Sequence, residues 1–168
     1  MSRILIGVIG PGETATTTNT RTAFALGAAI AQQGWGLLTG GRDAGVMAAA
    51  SQGAHAANGL VVGILPSEDT AQMSPAVDIA ICTGMGQGRN VINVLSSHVV
   101  IACGIGPGTL SEIALALKFG KPLILMDLPA DLEAALVNLS SAPIAIAPTV
   151  TAAIAQTQNF LTREGSNG

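Results

Sequence analysis

This sequence is short of charge. Asp, Glu, Lys and Arg make up 10% of its 168 residues, against about 25% in typical soluble domains. So little charge leaves a monomer poorly covered, and helices of alanine and small apolar residues are expected to pack against another subunit. A homo-oligomer follows, with a dimer as the minimum. The seven basic residues are scattered, the net charge is −3, and the aromatics are three Phe and one Trp. Without a basic stripe, nucleic-acid binding is disfavoured. No apolar run reaches the roughly 20 residues of a membrane span. No signal-peptide pattern precedes the first strand-like segment, so a soluble, cytoplasmic chain without a membrane partner is expected. Two cysteines make no disulfide framework and show no zinc spacing. Cys82 and Cys103 each end an apolar run, where a buried, reduced thiol is expected, and no structural metal is expected.

Apolar residues, by contrast, reach 49%, arranged as short runs without alternation. Ile4–Ile9, Trp35–Thr39, Leu60–Leu65, Asp78–Cys82, His98–Cys103, Pro122–Met126 and Ile144–Ala147 read as seven strands. Helical patterns separate most of them: Thr20–Gln33, Val46–Ala57, a segment from Arg89 to Ser97, one from Gly108 to Phe119, Leu132–Leu139 and Thr149–Leu161. In the first of these, Phe24, Ala28 and Ala31 mark one side, widened by Leu26 and Ile30. Continuous apolar strands between helices mean a mostly parallel sheet covered on both faces. The expected fold is a doubly wound, Rossmann-like α/β domain spanning 1–168, with Thr162–Gly168 as a frayed tail.

Glycine gathers at strand ends. Gly10-Pro11-Gly12, Gly40-Gly41-Arg42, Gly84 to Gly88 and Gly104-Ile105-Gly106-Pro107-Gly108 each follow a strand, so all can crowd the carboxyl edge where such sheets bind ligands. The last of these is strand, glycine turn and helix start. Bare N–H groups and the helix dipole there favour an anion. Thr109 and Glu112 also fit a capping box, with Thr109 at the N-cap; on spacing alone the structural and ligand-binding readings stand about even. Three more glycine-rich strand ends favour the ligand. The candidate phosphate-binding set is Gly10, Gly12, Gly40, Gly41, Arg42, Gly88, Arg89, Gly106, Gly108, Thr109 and Glu112. Within it Arg89 supplies a charge-assisted contact, with a surface arginine as its alternative role. Arg42 is as readily paired with Asp43 or solvent. Thr14 to Thr18 read as a polar connection more readily than as a direct contact, and Ser67 to Pro75 as a loop able to cover a site. His55 and His98 sit in apolar surroundings and read as structural.

Gly106-Pro107-Gly108-Thr109-Leu110-Ser111-Glu112 resembles the end of the Pro-Gly-Gly-x-Gly-Thr-x-x-Glu motif of the Lonely-Guy (LOG) family, long mislabelled as lysine decarboxylases. Arg89 stands at the family's spacing from Glu112, and Thr39 to Met47 is similar to the family's second glycine loop. The family includes phosphoribohydrolases that release cytokinin bases from nucleoside monophosphates, and the resemblance implies Arg89 and Glu112 as catalytic residues if the chain is such a hydrolase. Gly104-Ile105 replaces the motif's leading Pro-Gly, and Ser111 stands where a second acid is usual. The Gly-Pro-Gly first loop and the short chain resemble the molybdenum cofactor carrier branch. That branch implies binding and protection of a molybdopterin-type cofactor, a dimer or tetramer, and molybdoenzymes as recipients. In both readings the ligand carries a phosphate monoester. Contact of Cys82 or Cys103 with the ligand stays open.

Overall fold

A computed structural model of the chain describes residues 3–139 and 141–165. The strands are β1 (Leu5–Ile9), β2 (Gly36–Thr39), β3 (Val61–Leu65), β4 (Ile79–Cys82), β5 (Val99–Cys103), β6 (Leu123–Met126) and β7 (Ile144–Ile146). All pair in parallel in the order β4-β3-β2-β1-β5-β6-β7. The helices are α1 (Thr17–Gln32), α2 (Gly45–Ala56), α3 (Asn90–Ser96), α4 (Pro107–Lys118), α5 (Ala130–Leu139) and α6 (Val150–Gly165), and a 3-10 turn, Gly86–Arg89, leads into α3. The expected doubly wound α/β architecture is present. Strands run outward from β1 to β4, then the chain returns to place β5 on the other flank of β1. Strand order therefore switches between β1 and β5, where the crevice at the carboxyl edge opens.

Successive side chains of a strand point to opposite faces, which divides the core. Val99, Ile101 and Cys103 join Leu26, Ile30, Ala50, Ala54 and Phe160 under α1, α2 and α6. Val100 and Ala102 join Val94, Ile113, Ala116 and Leu136 under α3, α4 and α5. The α1 face differs from the sequence expectation. Ala23, Leu26, Gly27 and Ile30 are buried, whereas Phe24 is exposed. The reason is a backbone-to-backbone crossing with α2. A methyl group on Gly27 would overlap the Ala50 carbonyl oxygen, and one on Gly53 would overlap that of Phe24. The face is centred on a glycine, which counting apolar side chains does not register.

Further departures are local. α1 begins three residues before the expected start, because Thr16 and Asn19 cap it reciprocally: Asn19 N donates to Thr16 Oγ1 and Thr16 N to Asn19 Oδ1, each at 3.1 Å. β4 is an edge strand exposed along its whole length, so Cys82 is exposed and the expectation of a buried thiol there fails. α6 continues through Gly165, into the stretch expected to fray; residues 166–168 lie outside the described residues. No helix among the described residues is long and apolar enough to cross a membrane.

Candidate functional site

Three glycine turns meet beyond the ends of β1, β2 and β5. The first, Gly10-Pro11-Gly12, is pinned on both sides. A Cβ on Gly10 would lie 2.5 Å from the Cys103 carbonyl oxygen and 2.7 Å from the Val46 methyls, and Val46 N donates to the Pro11 carbonyl at 3.0 Å. So close an approach to β5 and α2 admits no side chain at this position. The second turn follows Thr39, whose Oγ1 accepts from Gly41 N at 3.0 Å. Its outer side is held by the segment after β3: Asp43 N donates to the Gln72 carbonyl at 2.8 Å and Ser74 N to that of Gly41 at 2.9 Å. The Ser67–Pro75 stretch thus packs on the second turn, and Gln72 reaches the cavity rim.

The third turn feeds α4. Its N-cap is Gly106, without a side-chain cap, and Pro107 is the first helical residue. A proline fits there because its absent N–H would have no partner in the helix. Thr109 is therefore inside the helix and the capping-box reading is overturned. Leu110 N donates to the Gly106 carbonyl at 2.8 Å, so it is not a spare donor. Gly108 and Thr109 keep N–H groups with no backbone acceptor among the described residues. The Thr109 hydroxyl, 2% exposed, has no hydrogen-bond partner.

Arg89 reaches this point from the 3-10 turn. The residue is 6% exposed. Its Nη1 donates to Asn90 Oδ1 at 2.7 Å, while Nε is buried without a partner. Burial depresses its pKa, offset in part by Glu112. Glu112, 7% exposed, accepts from Asn93 Nδ2 at 2.8 Å through Oε1. Burial pushes its carboxyl up to about 7, more strongly than Asn93 and Arg89 pull it down. Arg89 therefore does not hold Glu112 ionised: the cost of desolvating a carboxylate outweighs one buried cation nearby.

Arg42 pairs with Glu13 across the mouth, not with Asp43. Glu13 is consequently held below its usual range, by a backbone hydrogen bond first and by Arg42 second.

These groups enclose a cavity of about 400 Å³, within the usual range for small-molecule sites. Of the sequence candidates, Gly10, Gly12, Gly40, Arg42 and Arg89 line it from the β1, β2 and α3 sides, and Gly106, Gly108, Thr109 and Glu112 from α4. Thr14 lines it as well. Gly41 and Gly88 do not. Gly41 packs on the β3 backbone, where a Cβ would meet Gly63 Cα at 3.0 Å, and Gly88 is used in the 3-10 turn, donating to the Met85 carbonyl at 3.0 Å. Met47, Pro66, Gln72, Gln87 and Asn90 complete the walls and were not among the candidates. Met47, Gln72 and Gln87 lie in stretches the sequence had marked, the second glycine loop, the Ser67–Pro75 loop and the Gly84–Gly88 turn, and Asn90 directly follows Arg89.

Other candidates fall elsewhere. Cys103 is buried, its thiol near the Asn19 carbonyl (3.4 Å) and Asp127 Oδ2 (3.9 Å). Burial first, then Asp127, pushes its pKa up to about 12, so it is a neutral thiol and a poor ligand for a metal. Leu5 N donates to His98 Nδ1 at 3.1 Å, a structural role at the opposite edge of the sheet. His55 is exposed at the end of α2, not in apolar surroundings. No group of three or more His, Cys, Asp or Glu side chains suited to a metal occurs among the described residues.

The same architecture occurs in solved proteins. The molybdenum cofactor binding protein of the phototrophic bacterium Rippkaea orientalis is 54% identical, with a TM-score of 0.94 over 96% of this chain and 99% of that one. The molybdenum cofactor carrier protein of Chlamydomonas reinhardtii is 44% identical, with a TM-score of 0.91 over the same shares. An uncharacterized protein of Archaeoglobus fulgidus is 45% identical over 79% of this chain and 86% of its own. The model of the SLOG cluster4 family matches residues 3–159. With its glycine turns, Arg89 and Glu112 all inside that match, the chain belongs to the SLOG cluster4 family.

Proposed function

We propose that the chain binds molybdenum cofactor, a phosphorylated pyranopterin, and holds it as a cytoplasmic carrier that protects it for delivery to molybdoenzymes. The observation that carries this reading is the pair of buried, unpartnered groups, Arg89 Nε and Thr109 Oγ1, beside the free N–H groups of Gly108 and Thr109. Such groups are costly to leave unsatisfied, and a phosphate monoester satisfies them together. The Rippkaea and Chlamydomonas proteins supply the ligand class. In this arrangement the phosphate lies against the α4 start. The rest of the ligand extends along Gly10, Gly12 and Gly40 toward Met47 and the amides of Gln72 and Gln87. The metal reaches the chain as cargo on the ligand, and the neutral Cys103 thiol does not take it.

The chain is also proposed to assemble with copies of itself. Leu95 on α3, Leu110 on α4 and Phe119 just after it, and Ile79 and Ile81 on β4 are large apolar side chains left exposed in a single copy. Native mass spectrometry of freshly purified protein tests both parts at once. It is expected to give a dimer or tetramer of the 16.7 kDa chain, carrying a ligand that fluoresces as a pterin after oxidation. A bare monomer that takes up no added cofactor would refute the reading.

One observation favours a second reading. Glu112, with a pKa near 7 beside Arg89, is poised as a general acid–base, as nucleoside monophosphate hydrolysis requires. Incubation with AMP and an isopentenyl-adenosine monophosphate separates the two. The carrier reading expects no release of free base; efficient release, lost on Glu112→Ala, makes the chain a hydrolase.

A bound anion next to Glu112 favours its neutral form, so binding takes up a proton. Arg89, and Arg42 beyond it, are the charged groups facing this carboxyl. Sulfate has a fixed charge near neutrality, so its affinity reports Glu112 alone. That affinity is expected to be highest below the Glu112 pKa and to fall as pH rises through about 7. Calorimetric titrations giving the same affinity on both sides of that pH would exclude the coupling.

A further inference from the structure

We propose that Asn90 and Ser111 are positioning residues for Arg89, which aim its guanidinium at the α4 N-terminus before any ligand arrives. The inference rests on the phosphate site proposed above and deepens it. Three hydrogen bonds run in one direction. Arg89 Nη1 donates to Asn90 Oδ1 at 2.7 Å, Asn90 Nδ2 to Ser111 Oγ at 2.9 Å, and Ser111 Oγ to the Gly108 carbonyl at 2.7 Å.

The direction is forced by chemistry. A guanidinium only donates, so Asn90 must turn its oxygen to Arg89 and its NH2 to Ser111. The Ser111 hydroxyl, having accepted from Asn90, gives its proton to the Gly108 carbonyl. Bonds aligned in one sense polarise each other. The run ends in the turn of α4 whose N–H groups are free, so the arginine and its proposed phosphate share one frame although they come from different loops.

The opposite flank of Arg89 is packed. A Cβ on Gly40 would lie 2.7 Å from Nη2 and 3.0 Å from Cζ, so the guanidinium rests against the bare backbone of the second turn. One terminal nitrogen is tied, one flank is covered, and Nε is left without a partner. A side chain ordered in advance loses less freedom when the ligand binds. Ser111 suits this task because its hydroxyl accepts and donates at once. Alanine does neither.

The test uses the full chain, inorganic phosphate as probe, and the arginine Nε–H signals in 1H–15N spectra. The Arg89 signal is identified by its loss in Arg89→Lys. Phosphate is expected to shift it in the unmodified protein. Ser111→Ala is expected to weaken phosphate binding about tenfold, because Arg89 must then be ordered on binding (tenfold is about 1.4 kcal/mol), and to displace or broaden the Arg89 signal without ligand. Ser111→Thr, which keeps the hydroxyl, is expected to restore both. Unchanged binding and an unmoved signal in Ser111→Ala overturn the inference, as does a Ser111→Thr variant as impaired as Ser111→Ala. An unmodified protein whose Arg89 signal shifts with phosphate, but which takes up no molybdenum cofactor, overturns the carrier reading and leaves the positioning role standing.

Discussion

Replacing Arg89 with methionine is expected to weaken cofactor binding by on the order of a hundredfold while leaving the protein as stable as before, or more so. Truncating one side of a buried, hydrogen-bonded charge contact costs about 2–5 kcal/mol, and tenfold in affinity is about 1.4 kcal/mol. The stability half follows from the unliganded site. Arg89 is 6% exposed, its Nε has no partner, and the carboxyl facing it is itself pushed toward its neutral form. A buried cation so poorly compensated is a cost to folding, and an apolar side chain of similar length removes it. Binding by fluorescence titration and melting by calorimetry check the two halves. A variant that binds normally, or one that melts well below the unmodified protein, contradicts the account.

Gly27→Ala and Gly53→Ala are expected to be strongly destabilising, although each adds only one methyl group to a helix. Each methyl would overlap a carbonyl oxygen of the opposing helix, Ala50 and Phe24 respectively. Elsewhere in a helix the same change is favourable by about 1 kcal/mol. Here the clash is with backbone, which cannot rotate away as a side chain can, and forced repacking costs about 1–3 kcal/mol or more. At roughly 2–4 °C per kcal/mol for a chain of this size, melting is expected to fall by about 5–10 °C. The damage would also reach the site, since α2 carries Val46 and Met47, which wall the first turn and the cavity. An unchanged melting temperature in both variants would mean that the helices do not cross as described. Gly120→Ala is no control, because that residue has a positive φ of 66°; Gly108, with open space around it, is exposed in the anion site and is equally unsuitable.

Much of this was readable from the chain itself, for definite reasons. Strands buried on both faces are runs of Val, Ile and Leu, and runs of that kind stand out against glycine turns, so all seven strands and the carboxyl-edge site could be placed. The anion loop was legible because Pro107 and the glycines around it mark a helix start. What could not be read depends on partners distant in sequence. Arg42 had a near neighbour in Asp43, yet it pairs with Glu13, 29 residues away. The strand Ile79–Cys82 has the composition of a core strand, but its place at the sheet edge leaves it exposed. Asn90, Asn93 and Ser111 look like ordinary polar positions on short helices. Only the packing of α3 on α4 joins Asn93 to Glu112 and Asn90 to Ser111.

The Arg42–Glu13 pair at the cavity mouth has a consequence for how a ligand is captured. The outer arginine already has its counter-ion, so an arriving anion must displace a carboxylate that is tethered and cannot diffuse away. Capture there is ion exchange, not the filling of a vacant charge. With the whole chain at −3, no long-range attraction draws an anion in. Selectivity between anions therefore passes to the inner arginine, Arg89, whose Nε has no partner.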